Sequence, residues 1–316
     1  MVLIASDDRR QLDAVVASIV SSMQGVFDVL AIERGDALRA TFARGERTIE
    51  HFGFVDGISQ PIMIKQDLDD ELAKRGSANW NPAAPLSLAL VAEPDRPTNY
   101  GSFMVYRKLE QNVKAFWSAI DELTAVSSLD TETAGAMAVG RFRDGTPLLP
   151  TKTVDSGSDG NDFHYDQDPD GGQCPFHAHI RKTNPRGDIA RIIGAPAPFE
   201  RARRIARRGI TYGARPDLEP GAQLPRPSGG VGLLFMCFQS TLDQFAIQQE
   251  GSDSNDFVRP ATGPDAAIGQ NPLPVAQTWP SNGTAHFSVA NFVKLLGGEY
   301  FFAPSMEYME GLDKKM

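Results

Sequence analysis

Cysteine, histidine, positive charge and long apolar runs are all scarce in this chain. No stretch approaches the ~18 consecutive apolar residues of a membrane span. Two cysteines, Cys174 and Cys237, cannot build a disulfide framework, and five histidines leave few ligands for a metal held by protein alone. Lys and Arg number 31 against 40 Asp and Glu, a formal net charge of −9, which excludes a phosphate-tracking nucleic-acid binder. Gly (29) and Pro (22) fall short of a low-complexity composition. The first ten residues, Met1 to Arg10, turn acidic too early for the apolar core of a signal peptide. Heptads and short repeats are absent. By default this is a soluble protein of a reducing, cytoplasmic compartment, with no membrane or nucleic-acid partner.

What is present is an ordinary globular balance, 41% apolar and 22% charged over 316 residues. That length suits one large domain or two of about 150 residues. Val2–Ala5 reads as a short buried strand. Leu12, Val15, Val16, Ile19 and Val20 follow at helical spacing, and Phe27–Ile32 reads as a second strand. Two strands and a helix bury little alone, so the sheet needs further strands. Gly76 to Pro97, rich in Pro, Ala and Asn, reads as a linker. Beyond it, a strand at Ser102–Leu109 precedes a helix face of Val113, Phe116, Trp117 and Ile120. The recurrence of strand then helix suggests a second domain of the same kind, and predicts domains at 1–96 and 97–316. Asp155–Gly172 reads as an acidic loop, residues 199–208 as an arginine-rich helix, and Gly232–Phe238 as a buried strand. Gly251–Pro280 reads mostly as loop, and apolar residues from Phe287 to Phe302 close the ordered chain.

Four segments carry chemistry-bearing residues. Asp166–Gly171 has the alternating carboxylates and sixth-position Gly of a calcium loop, but its twelfth position is His177, so a solvated acidic loop is expected. Arg201, Arg203, Arg204, Arg207 and Arg208 cannot all face water on one helix at ~100° per residue. At least one must point inward and find an anion or a functional partner. In Cys174–His179, an extended backbone puts His177 and His179 on one side. They could hold a metal with Cys174, or serve as one surface and one core histidine. A single histidine suffices where a cofactor such as haem brings the other ligands. Finally, Gly53-Phe-Val-Asp56-Gly57 sets a carboxylate among Phe52, Phe54, Val55 and Ile58, where it can titrate abnormally and exchange protons with a ligand.

Taken together, these segments resemble the landmarks of the dye-decolorising peroxidases. His51–Pro61 resembles the family's Gly-x-x-Asp-Gly segment, and Ser102–Leu109 and Val139–Pro147 resemble the landmarks that follow it. Cys174–Arg186 resembles the proximal-histidine segment and Arg207–Gly213 the distal-arginine segment. Gly232–Gln239 and Gly298–Ser305 complete the set, so the resemblance covers nearly the whole chain. It implies an α+β fold of two ferredoxin-like domains in a dimeric α/β barrel-like arrangement. The first domain is incomplete, because members usually carry a preceding segment with its first strands. An open sheet edge there invites a homo-oligomer.

The resemblance also implies haem b, with His179 as the iron ligand and Phe235 against the cofactor. Asp56 becomes the distal acid–base residue, and Arg207 the distal arginine with Arg208 as the alternative. Asp243, following the strand that ends near Gln239, is the expected partner of the ligand imidazole. The implied activity is reduction of hydrogen peroxide and one-electron oxidation of dyes, phenols and other small aromatic reductants. An aspartate, with its reference pKa of about 3.9, predicts fastest dye turnover in acid. Rival readings are a non-catalytic haem carrier, a zinc or non-haem iron site on Cys174, His177 and His179, and a short form serving as a subunit of something larger. Trp80, Trp117, Trp279 and Tyr212 are candidate radical sites, with aromatic packing the simpler role for each.

Overall fold

A computed structural model describes residues 1–75, 79–149, 160–214, 225–270, 276–281, 283–289 and 291–313. In chain order the elements begin with α1 (Arg9–Ser22), β1 (Arg39–Phe42), β2 (Gly45–Thr48), α2 (Lys65–Arg75) and β3 (Val91–Glu93). The central run is β4 (Arg96–Gln111), α3 (Val113–Val126), α4 (Thr131–Val139), α5 (His179–Thr183) and α6 (Ala197–Arg201). There follow β5 (Ala206–Arg207), β6 (Ile210–Tyr212), β7 (Gly232–Gln239) and α7 (Asp243–Asp253). The chain closes with β8 (Gln277–Ser281), β9 (Gly283–Phe287), β10 (Val293–Ala303) and α8 (Met306–Asp313).

The main sheet runs β10-β4-β7-β5, antiparallel throughout, with β3 also on β4 and β6 also on β7. With α3 after the first long strand and α7 after β7, this is the strand-helix-strand-strand-helix-strand order of a ferredoxin-like unit. The α+β expectation therefore holds. β4 runs from an exposed start into the core, with Gly101, Ser102, Met104, Val105 and Gln111 buried along its inner part. Val105 sits opposite Cys237, both fully buried. α3 starts where Asn112 accepts the Ala115 amide at 2.9 Å, and it turns Val113, Phe116, Trp117, Ile120 and Leu123 inward. Onto that stripe pack Phe52, Phe54, Met137, Trp279 and Phe292.

Contacts divide the chain into Met1–Gly35 and Asp36–Met316; the division expected at 96 and 97 falls at the head of β4. In the first unit α1 forms as expected, with Asp8 accepting the Arg10 amide at 2.8 Å and that of Gln11 at 3.2 Å. The expected strands Val2–Ala5 and Phe27–Ile32 do not form. A strand exists only by exchanging hydrogen bonds with a neighbour, and neither segment joins a ladder among the described residues. Leu30 is 95% exposed and Phe27 68%.

Elsewhere the linker expected at Gly76–Pro97 contains β3, which folds back on β4. The helix expected over 199–208 stops at Arg201, and the chain turns to pair Ala206 and Arg207 with β7. The long acidic loop lies partly outside the described residues. Its described part is not simply solvated, because Asp168 is buried. Asp168 accepts the Gln173 and Cys174 amides at 3.0 and 2.9 Å and pairs with Arg181.

Candidate active site

The Gly-x-x-Asp-Gly turn is built from its flanks. Phe52 stacks on Phe116 at 4.4 Å between ring centroids, and Phe54 on Trp117 at 6.0 Å. Between them Gly53 takes φ of 102°, which a side chain would resist. Half-buried Glu50 fastens the turn. It accepts the Phe52 and Phe54 amides at 2.8 and 3.0 Å and the Gln111 side-chain amide at 2.5 Å. Burial raises its pKa, and those hydrogen bonds only partly offset the rise. With its neighbours anchored, Asp56 projects outward, 42% exposed, and its Oδ1 accepts the Gly57 amide at 2.6 Å.

Arg207 reaches Asp56 from β5. Its Nη1 lies 3.9 Å from Asp56 Oδ1, its Nη2 donates to the Ile58 carbonyl at 3.1 Å, and its backbone amide donates to Gln60 Oε1 at 3.3 Å. Strand alternation separates the two arginines of the doublet. Arg207 pairs with Cys237, whereas Arg208 turns to the other face, is exposed, and donates to the Arg207 carbonyl at 2.7 Å. Phe235, two residues before Cys237 on β7, shares the face of Arg207. It is half-buried, with its ring 6.1 Å from Phe245.

His179 opens α5, a helix of five residues that holds its place through its neighbours. Arg181, fully buried, donates to Asp188 at 2.6 and 2.9 Å and to Asp168 at 2.9 Å. Lys182 Nζ donates to the Gly251 and Ser254 carbonyls at 3.0 and 2.6 Å, fitting a cation to the C-terminal end of α7. Held so, His179 Nδ1 meets Asp265 Oδ2 at 2.8 Å. Asp265, not Asp243, is the imidazole's partner. Asp243 begins α7 and is exposed, whereas Asp265 is fully buried, and its Oδ1 accepts the Ala267 and Ile268 amides at 2.9 and 3.0 Å. Burial pushes the Asp265 carboxyl up, but the imidazole and the two amides outweigh it and hold the group below its usual range. Burial pushes His179 down, but Asp265 more than reverses this. Arg207 and Asp56 also act on the charge of His179, Arg207 lowering its pKa and Asp56 raising it.

Other candidates fall away from this site. His177 is buried with its ring 4.3 Å from that of Trp279, and burial pushes its pKa down to about 3. Cys174 is buried, and its thiol is pushed up to about 12. Zinc or non-haem iron on Cys174, His177 and His179 finds no support, because the three do not form a metal-binding group. Among the described residues no group of three His, Cys, Asp or Glu side chains could hold a metal ion. The same holds for calcium at Asp166–Gly171, where Asp168 is committed to Arg181. Arg203 lies over Phe199, and Arg204 lies over Trp80 while donating to the Asn81 carbonyl at 2.9 Å. Trp80, Trp117 and Trp279 are buried and Tyr212 is half-buried.

What is left is one imidazole whose Nδ1 is committed to a carboxylate, and whose Nε2 makes no hydrogen bond among the described residues. This donor set suits a metal that arrives with its own equatorial ligands, as haem iron does.

Comparison with known proteins agrees. The chain is 46% identical over 287 residues to the multifunctional dye peroxidase DyP2 of Amycolatopsis sp., covering 84% of this chain and 61% of that one. It is 34% identical to the dye-decolorizing peroxidase AauDyP1 of Auricularia auricula-judae, covering 98% of this chain and 64% of that one. The crystal structure of a DyP-type peroxidase from Anabaena sp. superposes with a TM-score of 0.85 at 38% identity, over 98% of this chain and 67% of that one. No family model matches the sequence. The chain belongs to the dye-decolorising (DyP-type) peroxidase family, and it spans about 61–64% of the length of those two curated relatives. Among the described residues no helix is long and apolar enough to cross a membrane.

Proposed function

We propose that this chain is a haem-dependent peroxidase that reduces hydrogen peroxide and oxidises dyes, phenols or similar small reductants. The observation that carries the reading is the Asp56–Arg207 pair, 3.9 Å apart, in a chain whose His179 is tied to a buried carboxylate. A haem carrier needs the histidine but has no use for a mobile acid beside a fixed cation. His179 would hold the iron through Nε2, and Phe235 would pack against the macrocycle. Bound haem b would supply the redox centre at which the O–O bond of peroxide is cleaved and from which reductants are oxidised singly.

The remaining work belongs to the protein. Asp56, half-exposed and hydrogen-bonded only lightly, takes the proton from the inner oxygen of peroxide and returns it to the outer one, so that water leaves rather than hydroxide. Arg207 stabilises the negative charge that develops on the departing oxygen. Asp265 accepts the Nδ1 proton of His179, which fixes the tautomer and makes the ligand nitrogen more electron-rich. In this reading the first 96 residues contribute Asp56, and residues 97–316 contribute His179, Arg207 and Asp265.

The test is an absorption spectrum of the purified chain with added haemin, then with peroxide and a phenol. A histidine-ligated Soret band that changes with peroxide, with phenol oxidised in step, supports the proposal. A Soret band with no peroxide-dependent oxidation assigns the chain to haem handling. No band at all refutes the haem reading for this chain.

A further inference from the structure

The loop that carries Asp56 is tied to the segment that carries His179 at a point neither catalytic role explains. Ser59, three residues after Asp56, has φ of 66°, a left-handed backbone that serine rarely adopts and that its surroundings must enforce. Its hydroxyl has no capacity to spare. Oγ donates to Asn161 Oδ1 at 2.7 Å and accepts from Arg186 Nη2 at 2.7 Å and, more weakly, from Arg141 Nη2 at 3.4 Å. Asn161 Oδ1 in turn accepts from Arg186 Nη2 at 2.7 Å and Arg141 Nη2 at 2.9 Å.

Arg186 is the common member. It follows His179 by seven residues, is 2% exposed, and lies between the rings of Phe163 and Trp80 at 3.9 and 4.4 Å. Its Nη1 donates to the Asn161 and Phe163 carbonyls at 2.6 and 3.2 Å. Among the described residues it makes no ion pair. A buried guanidinium satisfied by neutral oxygens is an expensive way to add stability, because its desolvation is not repaid by an opposite charge. Its planar fork does, however, fix the angle between the groups it bridges.

We infer that Arg186 is a positioning residue, clamping Ser59 so that the Asp56 loop is held in register with the His179 segment. The inference rests on the peroxidase reading for its consequence, but not for its geometry. Ser59→Gly removes the hydroxyl at a backbone angle glycine accepts freely, and Arg186→Lys keeps a cation while removing the fork.

Hydrogen exchange on the full chain, without and with haemin, reads the clamp directly. Each single variant is expected to exchange about tenfold faster across residues 55–62, with residues 176–184 unchanged. The double variant is expected to be no faster than the singles, as for two ends of one bond. In the haemin-loaded chain, kcat/KM for peroxide is expected to fall about 10- to 100-fold while kcat/KM for the phenol stays put, the mark of a misplaced distal acid. Unchanged exchange in 55–62, additive effects, or an equal fall in both rate constants overturns the clamp. If the wild-type chain binds no haemin, the peroxidase reading fails while the exchange result still decides the inference.

Discussion

The two sides of the candidate site are built to different tolerances. His179 and Asp265 meet at 2.8 Å, and the carboxylate is fully buried and saturated by two backbone amides. Asp56 and Arg207 stand 3.9 Å apart, with side chains 42% and 32% exposed. The difference fits what the proposed mechanism asks each pair to do with a proton. Asp265 has only to keep one proton on one imidazole nitrogen, so burial and short bonds serve it. Asp56 has to take a proton up and release it within a turnover, and a carboxylate locked in a short ion pair cannot do both.

Breaking the loose side should cost more rate than breaking the tight one. Asp56→Ala in the haemin-loaded chain is expected to slow the reaction with peroxide by about 10²–10⁴-fold, followed by stopped-flow absorbance at the Soret band. A rate within a factor of about two of wild type would mean that no proton transfer runs through Asp56. Next in size is Arg207→Ala, with an expected loss of roughly 10²–10³-fold by the same measurement. Arg208→Ala serves as its internal control, and an equal loss there reopens the doublet.

On the tight side, Asp265→Asn is expected to weaken haemin binding or the peroxide rate by about 10–100-fold in titration and stopped-flow. Asp243→Asn should leave both unchanged; the reverse order of effects would restore Asp243 as the partner. The smallest effect concerns the turn beneath Asp56. Burial raises the folded-state pKa of Glu50 above its ordinary 4.5, so just above that pH the folded chain keeps a proton the unfolded chain has released. Its contribution to stability therefore falls as pH rises through that window. Thermal melts across it should slope less steeply for Glu50→Gln than for wild type, and identical slopes would clear Glu50 of the effect.

Asp56, proposed as the distal acid, is marked in the sequence by Gly53 and Gly57 on either side and by Phe52 and Phe54, and its role comes from the resemblance to the family. The arginine was legible only as a doublet. The choice between Arg207 and Arg208 depends on a two-residue strand pairing with Cys237, and nothing local in an arginine-rich stretch announces a strand. Helix propensity there is overruled by an edge that β7 offers from 30 residues away.

Asp265 lies well beyond the end of β7, where the sequence points to Asp243 instead. Its own signal lies in Gly263-Pro-Asp-Ala-Ala-Ile268, where an acid after proline meets amides two and three residues on, the pattern of a side chain closing its own turn. Val2–Ala5 and Phe27–Ile32 failed for the opposite reason. Their local pattern suits strands, but a ladder is a property of two segments, and periodicity describes only one.

The separation of 86 positions from His179 to Asp265 also orders events at the ribosome. A nascent chain exposes the ligand histidine long before the carboxylate that selects its tautomer has been translated, and longer still before β10 zips onto β4. If the proposal holds, capture of haem on the final tautomer waits until residue 265 has been made. A chain ending before Asp265 would carry Asp56 and Arg207 in its sequence beside an imidazole that lacks its carboxylate partner.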